Sequence, residues 1–243
     1  MNYMDTSKYI IVIGDKFSSL RHAISCKTFL EWQAEKNSVQ EGTYYIPGLG
    51  LNDREHNEVI NNLPEPLKKS LVIFPATTEQ THKHFKENVL LGNFEHLSDS
   101  NYRAKLVIND KNELLQDHVT GIHLPGMIFV EATRQMCVAA VHSFSKSKND
   151  YLVIDEITSN FISYAYPLPT EITMDIEKDA DSDIVKYNVQ VNFYQSERAI
   201  AKTSGSFMIM EKEKFQSTEE RGVAISIKKL IKVLNHRKDH ETC

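Results

Sequence analysis

Apolar residues along this chain change their spacing three times, and each change marks a different kind of element. Residues 9–13 and 71–74 are short unbroken apolar runs, bounded by Gly14-Asp15 and by Pro75, the pattern of buried strands. Segments near 18–35 and 52–62 are helix-like, so residues 1–80 read as a small α/β module. The polar, aperiodic stretch from Ala76 to Phe85 marks the expected domain boundary. Beyond it apolar and polar residues alternate. Val89 to Leu91 leads through the turn cluster Ser98–Asn101 to Tyr102, Ala104, Leu106 and Ile108, interleaved with Arg103, Lys105 and Asn109. Further strands are predicted at about 151–164, through Ile172, Met174 and Ile176, through Val185 to Phe193, and at 198–210, with a turn at Gln195–Arg198.

The third pattern lies between the two groups of strands. From Leu124 to Val141 the only charged side chains are Glu131 and Arg134, and the only other polar ones are Thr133 and Gln135. Pro125, Gly126 and the two charges interrupt it too much for a membrane span, and it has no polar face, so it reads as a helix buried nearly all round. An antiparallel sheet with one apolar face must cover that face, and this helix is the element that can do it. The fold class is therefore α+β over residues 85–212, in the order strand, strand, helix and four strands, with the sheet wrapped round the helix. That is the outline of a hotdog fold. A tail at 222–243 carries Ile227, Leu230, Ile231 and Leu234 at helical spacing beside Lys228, Lys229, Lys232, Arg237 and Lys238. It reads as a basic amphipathic helix docked on the sheet, or as a contact surface for an acidic partner such as an acyl carrier protein.

Composition narrows the function classes. A net charge of -5 gives no basic surplus for nucleic acid. Cys26, Cys137 and Cys243 are too scattered for a disulfide framework or a zinc signature. The N-terminus has an acidic residue before a short apolar run and no small-residue cleavage site, so a cytoplasmic location is expected. The Gly48-Leu49-Gly50 turn lacks the spacing of a dinucleotide or phosphate loop.

The candidate chemistry sits where the buried helix begins. A buried carboxylate costs several kcal/mol unless it is paired, so Glu131 is either held by partners or used in chemistry. It lies three residues before Arg134 and four before Gln135, which puts all three along one side. One reading is an internal ion pair. The other is a carboxyl whose pKa burial raises towards neutrality, so that it takes or orients a substrate proton, with Arg134 orienting it or binding an anionic group. Pro125 suits a first helical position and Gly126 leaves room for another molecule, so the N–H groups of Gly126 and Met127 can polarise a substrate carbonyl; equally, Leu124-Pro125-Gly126 can simply start a core helix. Asp117, His118 and His123 fall in the loop entering the helix, where Asp117 can set the tautomer of His118, the natural second member of an acid–base dyad. These residues have the donor types of a metal site but no standard spacing, and no bound metal or cofactor is expected.

The same stretch, Asp117-His118, Pro125-Gly126-Met127 and Glu131-Ala132-Thr133-Arg134-Gln135, resembles the signature of the AfsA (A-factor biosynthesis) hotdog family, with Val89–Leu91, Tyr102–Leu106 and Phe161–Pro169 consistent with it. It is also similar to the hotdog dehydratases of fatty-acid synthesis, which would make His118 and Glu131 the dyad for water loss from a β-hydroxyacyl thioester, although the spacing here is one residue shorter. The AfsA resemblance implies transfer of a β-ketoacyl chain from an acyl-CoA or acyl carrier protein thioester to the hydroxyl of dihydroxyacetone phosphate, on the way to γ-butyrolactone signals. It casts Glu131 as the catalytic glutamate. Signal-forming members carry two hotdog units in one chain and this sequence carries one, so a homodimer is expected. A non-catalytic module that holds an acyl chain or docks a carrier protein is the reading from outside enzymology.

Overall fold

The computed structural model describes residues 9–23, 25–38, 42–116, 120–145, 150–179 and 185–241. The N-terminal module is a three-stranded parallel sheet in which β1 (Tyr9–Ile13) lies between β2 (Cys26–Thr28) and β3 (Tyr44–Pro47). Helix α1 (Phe29–Glu35) lays Phe29 and Trp32 on that sheet, where Val12, Tyr45, Leu51 and Val59 complete a small core. Both α1 and α2 (Asp53–Ile60) start at capping boxes, Thr28 with Glu31 and Asn52 with Glu55, each closing two backbone donors that would otherwise be unpaired.

The apolar run 71–74 is not the strand its pattern predicts. Pro66 primes a helix, and α3 (Glu65–Leu71) runs to the start of the run. Val72 to Phe74 then continues extended without joining a sheet ladder. The Asn93 side chain pins it, accepting from the Phe74 N–H at 2.7 Å and donating to the Val72 carbonyl at 2.9 Å, and Pro75 makes an isolated bridge with Gly92. A single-turn helix, α4 (Thr78–Thr81), follows, capped by Thr77 and Gln80, and packs against the central helix.

The larger sheet has the predicted order. Strands β4 (Leu91–Ser98) and β5 (Asn101–Leu106) precede the helix α5 (Met127–Phe144), and β6 (Asp150–Phe161), β7 (Glu171–Lys178), β8 (Lys186–Gln195) and β9 (Arg198–Glu211) follow it. They form one antiparallel sheet in the order β4-β5-β7-β8-β9-β6. Inward residues of β5, β7 and β8, such as Tyr102, Ile172, Met174, Val191 and Phe193, close on Ile128, Phe129, Ala132 and Met136 of α5. The turn between β8 and β9 places Ser196 and Glu197 at φ 49° and 63°, the left-handed pair of a two-residue hairpin.

The two parts share a core, since Ile13, Phe17 and Leu49 of the module belong to the same cluster as the sheet and α5. Their seam explains the glycine turn. The N–H groups of Gly48, Leu49 and Gly50 bond to the carbonyls of Val12, Pro167 and Ile108 at 2.7, 2.9 and 2.8 Å, so they tie β1 to the segments that follow β5 and precede β7. A Cβ on Gly14 would lie 1.9 Å from the Gly50 carbonyl oxygen.

The tail departs from expectation. It forms α6 (Lys212–Glu241), ten residues longer at its start than the predicted segment, and meets the sheet near its beginning, where Phe215 stacks on Tyr151 with ring centroids 4.6 Å apart, while the described side chains from Glu219 to Leu234 are exposed. Val223, Ile227, Leu230 and Leu234 stay exposed, so the predicted docking of this helix on the sheet is not seen.

Candidate active site

Glu131 lies in the second turn of α5 with about a fifth of its side chain exposed (21%). Its Oε1 accepts from Lys83 Nζ at 3.1 Å, Arg134 Nη2 at 2.8 Å and Gln135 Nε2 at 3.0 Å. Its Oε2 accepts from Arg134 Nε at 2.9 Å, which leaves that oxygen room for another donor. Helical spacing supplies Arg134 and Gln135, as the sequence indicates. Lys83 arrives from the strap that follows α4.

That strap is fastened at three points. The Thr81 carbonyl accepts from Arg134 Nη2 at 3.0 Å, Lys83 pairs with Glu131, and the Nε2 atoms of His82 and His142 lie 3.1 Å apart. His82 takes a left-handed conformation at the end of α4, φ 47°, which turns the chain onto α5. Burial, then the neighbouring His142 and Arg134, push its pKa down.

The expected upward shift of Glu131 is corrected here. Burial is the largest influence and does raise the pKa, but hydrogen bonds from Arg134 and Gln135, with the charges of Arg134 and Lys83, together outweigh it. The net direction is downward, so Glu131 is a carboxylate at neutral pH. It accepts and orients a donor readily and holds a proton weakly.

A cavity of about 170 Å³ opens onto it, lined on one side by Met127, Val130 and Glu131 and on the other by Lys83, Asn88 and Leu114. Asn112 and the exposed Glu113 complete the rim. The backbone N–H of Met127 has no backbone acceptor among the described residues, as the first turn of a helix requires, while those of Ile128 and Phe129 return to Pro125 and Gly126. Met127 is exposed and borders the cavity. The space at Gly126 is taken by the protein itself, because a Cβ there would stand 2.8 Å from the ring of Phe161.

The remaining sequence-predicted residues divide clearly. Gln135 is fully buried, its amide donating to the Asn88 carbonyl and Glu131 while its oxygen accepts from the Leu90 N–H at 2.8 Å, so it braces Glu131 from within. Arg134 stands behind Glu131 with two of its nitrogens committed to Glu131 and Thr81, and the cavity's basic group is Lys83. His123 pairs with the Thr120 hydroxyl at 3.2 Å and lies against Tyr164. Asp117 and His118 lie outside the described residues. The pattern missed Lys83 because its neighbourhood reads as a linker; the Thr77-x-x-Gln80 capping box is the signal that an ordered turn lies there. Among the described residues, no three His, Cys, Asp or Glu side chains group to hold a metal ion, and no helix is long and apolar enough to cross a membrane.

A central helix wrapped by one antiparallel sheet in this order is a hotdog fold. The family model described as the A-factor biosynthesis hotdog domain, AfsA, matches residues 69–211, more than half of the chain, and the protein belongs to that family. The match begins upstream of the strap, so it takes in Lys83 as well as Glu131. Among curated proteins, none matches this chain. Similar solved structures include a mutant thioesterase from Pseudomonas aeruginosa, at 11% identity and TM-score 0.41 over 50% of this chain and 81% of that one. A conserved protein from the same organism has 18% identity and TM-score 0.42, over 56% and 100% of the two chains. A thioesterase from Haemophilus influenzae has 10% identity and TM-score 0.39, over 49% and 78%.

Proposed function

We propose that the protein is an acyl-thioester-dependent acyltransferase that moves a β-ketoacyl chain from coenzyme A or an acyl carrier protein onto the hydroxyl of a small phosphorylated acceptor resembling dihydroxyacetone phosphate. In this reading it acts in the cytoplasm, in the biosynthesis of a signal or secondary metabolite. The observation that carries it is Glu131, ionised and cavity-facing, beside Lys83 and the open N–H of Met127. The acceptor hydroxyl donates to Glu131 Oε2 and attacks the thioester carbon; the Met127 N–H stabilises the oxyanion; the C–S bond then breaks. Because Glu131 is a weak base, it takes the hydroxyl proton only as the new C–O bond forms, and hands it to the departing thiolate. Lys83 supplies the positive charge that a phosphate seeks, and Arg134 keeps Glu131 in place.

A homodimer fits this chemistry. A cavity of about 170 Å³ is small for an acyl chain with its thioester, and it lies in one copy. Met127, Phe161, Ile162 and Tyr164 expose apolar surface around the helix start, and β6, which among the described residues pairs only with β9, leaves a free sheet edge beside it. A second copy against that edge would extend the cavity into an acyl channel.

The test is release of free thiol from a β-ketoacyl carrier or coenzyme A thioester with and without dihydroxyacetone phosphate. Acceptor-dependent release is expected. Glu131→Gln should lower kcat by about two to four orders of magnitude, and Lys83→Met should raise the acceptor KM by about tenfold or more with little change in kcat. Release that ignores the acceptor, or loss of water from a β-hydroxyacyl thioester in its place, would overturn the reading.

A further inference from the structure

A second cavity, of about 230 Å³, lies in the seam between the N-terminal module and the hotdog sheet. Leu51 and His56 line it from the module, Val72 to Pro75 from the segment leaving α3, and Leu106 to Ile108 from the end of β5. A recess on the side of Lys105 and Glu171 adjoins it, sharing Gly48, Leu49, His56, Ile73 and Leu106, so His56 stands between the two. His56 is half-buried, and neither ring nitrogen has a hydrogen-bond partner among the described residues. Burial pushes its pKa down to about 4, with Asp53 opposing and Lys105 adding to the effect, so at pH 7 the ring is neutral. It offers one donor and one acceptor, both unclaimed. The ring is open to water, so a ligand head that replaces that water can use both nitrogens, and a few convergent polar groups, here His56 with Asp53 and Asn57, in an otherwise apolar wall are how small-molecule sites are built.

We propose that this seam binds a neutral amphiphile, its apolar body between Val72–Pro75 and Leu106–Ile108 and its uncharged hydroxyl, carbonyl or amide head on His56. The size follows from volume. An apolar cavity of about 150 Å³ holds one benzene ring, so the space here suits about nine or ten non-hydrogen atoms. The charge follows from the neighbours. Asp53 on α2, with Glu171 and Glu197 in the adjoining recess, outnumbers Lys105, whose ammonium donates to the Ser70 carbonyl at 2.6 Å. A carboxylate or phosphate entering beside His56 meets more negative than positive charge, and an uncharged head avoids that repulsion. This site is separate from the Glu131 cavity, and the inference stands independently of the acyltransferase reading.

Octanamide and octanoate are matched in length and size and differ in charge, which makes them the probes of choice. Isothermal titration calorimetry of the intact protein at pH 7, with the His56 ring resonances followed by NMR, is the measurement. Octanamide should bind in the submillimolar range and shift the His56 resonances, with octanoate at least about tenfold weaker. His56→Phe keeps the ring and removes both nitrogens, and should weaken octanamide about fivefold or more. Asn57→Trp, at an exposed position on the rim, should block the cavity and abolish binding while the melting temperature stays near wild type. Glu131→Gln should leave octanamide binding unchanged. Equal binding of octanoate, octanamide binding that survives both seam variants, loss of binding in Glu131→Gln, or no binding at about 10 mM would each overturn the proposal.

Discussion

Replacing Arg134 with methionine tests the electrostatics around Glu131. Methionine keeps an apolar stem but removes the two hydrogen bonds to Glu131, at 2.9 and 2.8 Å, and the one to the Thr81 carbonyl at 3.0 Å. Hydrogen bonds to charged groups contribute about 1.5–3 kcal/mol each when enclosed. Here the side chains keep 26% and 21% of their surface in water, which screens the pair. A net loss of about 2–3 kcal/mol is expected, or a fall of about 4–12 °C in Tm for a chain of this length at pH 7. The pH dependence has a definite sign. In the wild type the Glu131 carboxyl is held below its ordinary value, so its pairing stabilises the fold above the unfolded-state pKa of about 4.3 and is lost as pH falls through the lower folded value. Without Arg134, burial, which opposes ionisation, is countered only by Gln135 and Lys83, and the carboxyl moves upward. The variant's deficit should therefore be largest near pH 7 and shrink towards pH 4. Thermal melts followed by circular dichroism at pH 7, 5.5 and 4, with Glu131→Gln and the double variant completing a cycle, measure this. An unchanged Tm at pH 7, or a deficit that grows on acidification, refutes the reasoning.

Other consequences are open to simpler measurements. Gly14→Ala sets a Cβ against the backbone of Gly50 and should cost about 3 kcal/mol or more, whereas Gly126→Ala meets only the tip of the exposed Phe161 ring and should cost about 1 kcal/mol or less. Chemical denaturation of the two variants checks the contrast, and equal costs would contradict it. Burial pushes the Cys137 thiol up to about 12, so iodoacetamide at pH 8 should leave it unlabelled until denaturant is added, as peptide mass spectrometry would show. Ending the chain after Glu211 removes a helix whose described side chains are exposed beyond Phe215, and should change Tm by about 2 °C or less; a large drop would mean that α6 supports the fold.

The elements most legible in the sequence are those whose pattern is local. Alternation along β5, β7, β8 and β9 marks the sheet, the near-absence of polar residues marks α5, and helical spacing alone brings Glu131, Arg134 and Gln135 together on one side. What is not legible depends on distant residues. β2 and β3 are three and four residues long, too short to show a period, and become strands only because β1 lies between them. The run at 71–74 has strand composition, but the partner that captures it is the Asn93 side chain. Glu131 is the sharpest case: its own helix shows it to be buried, whereas the downward direction of its pKa also depends on Lys83, 48 residues earlier in the chain.

The strap carries a consequence for durability. Two of the contacts that steady the acid, one direct and one through its guanidinium neighbour, hang from a single short turn upstream of the first hotdog strand, in which Thr81 is buried and His82 exposed. A proteolytic nick there would detune the carboxylate while every strand kept its register. Under the proposed role of Glu131, such a protein would fall silent before it came apart, and a folded, inert population would accumulate that spectroscopy scores as intact.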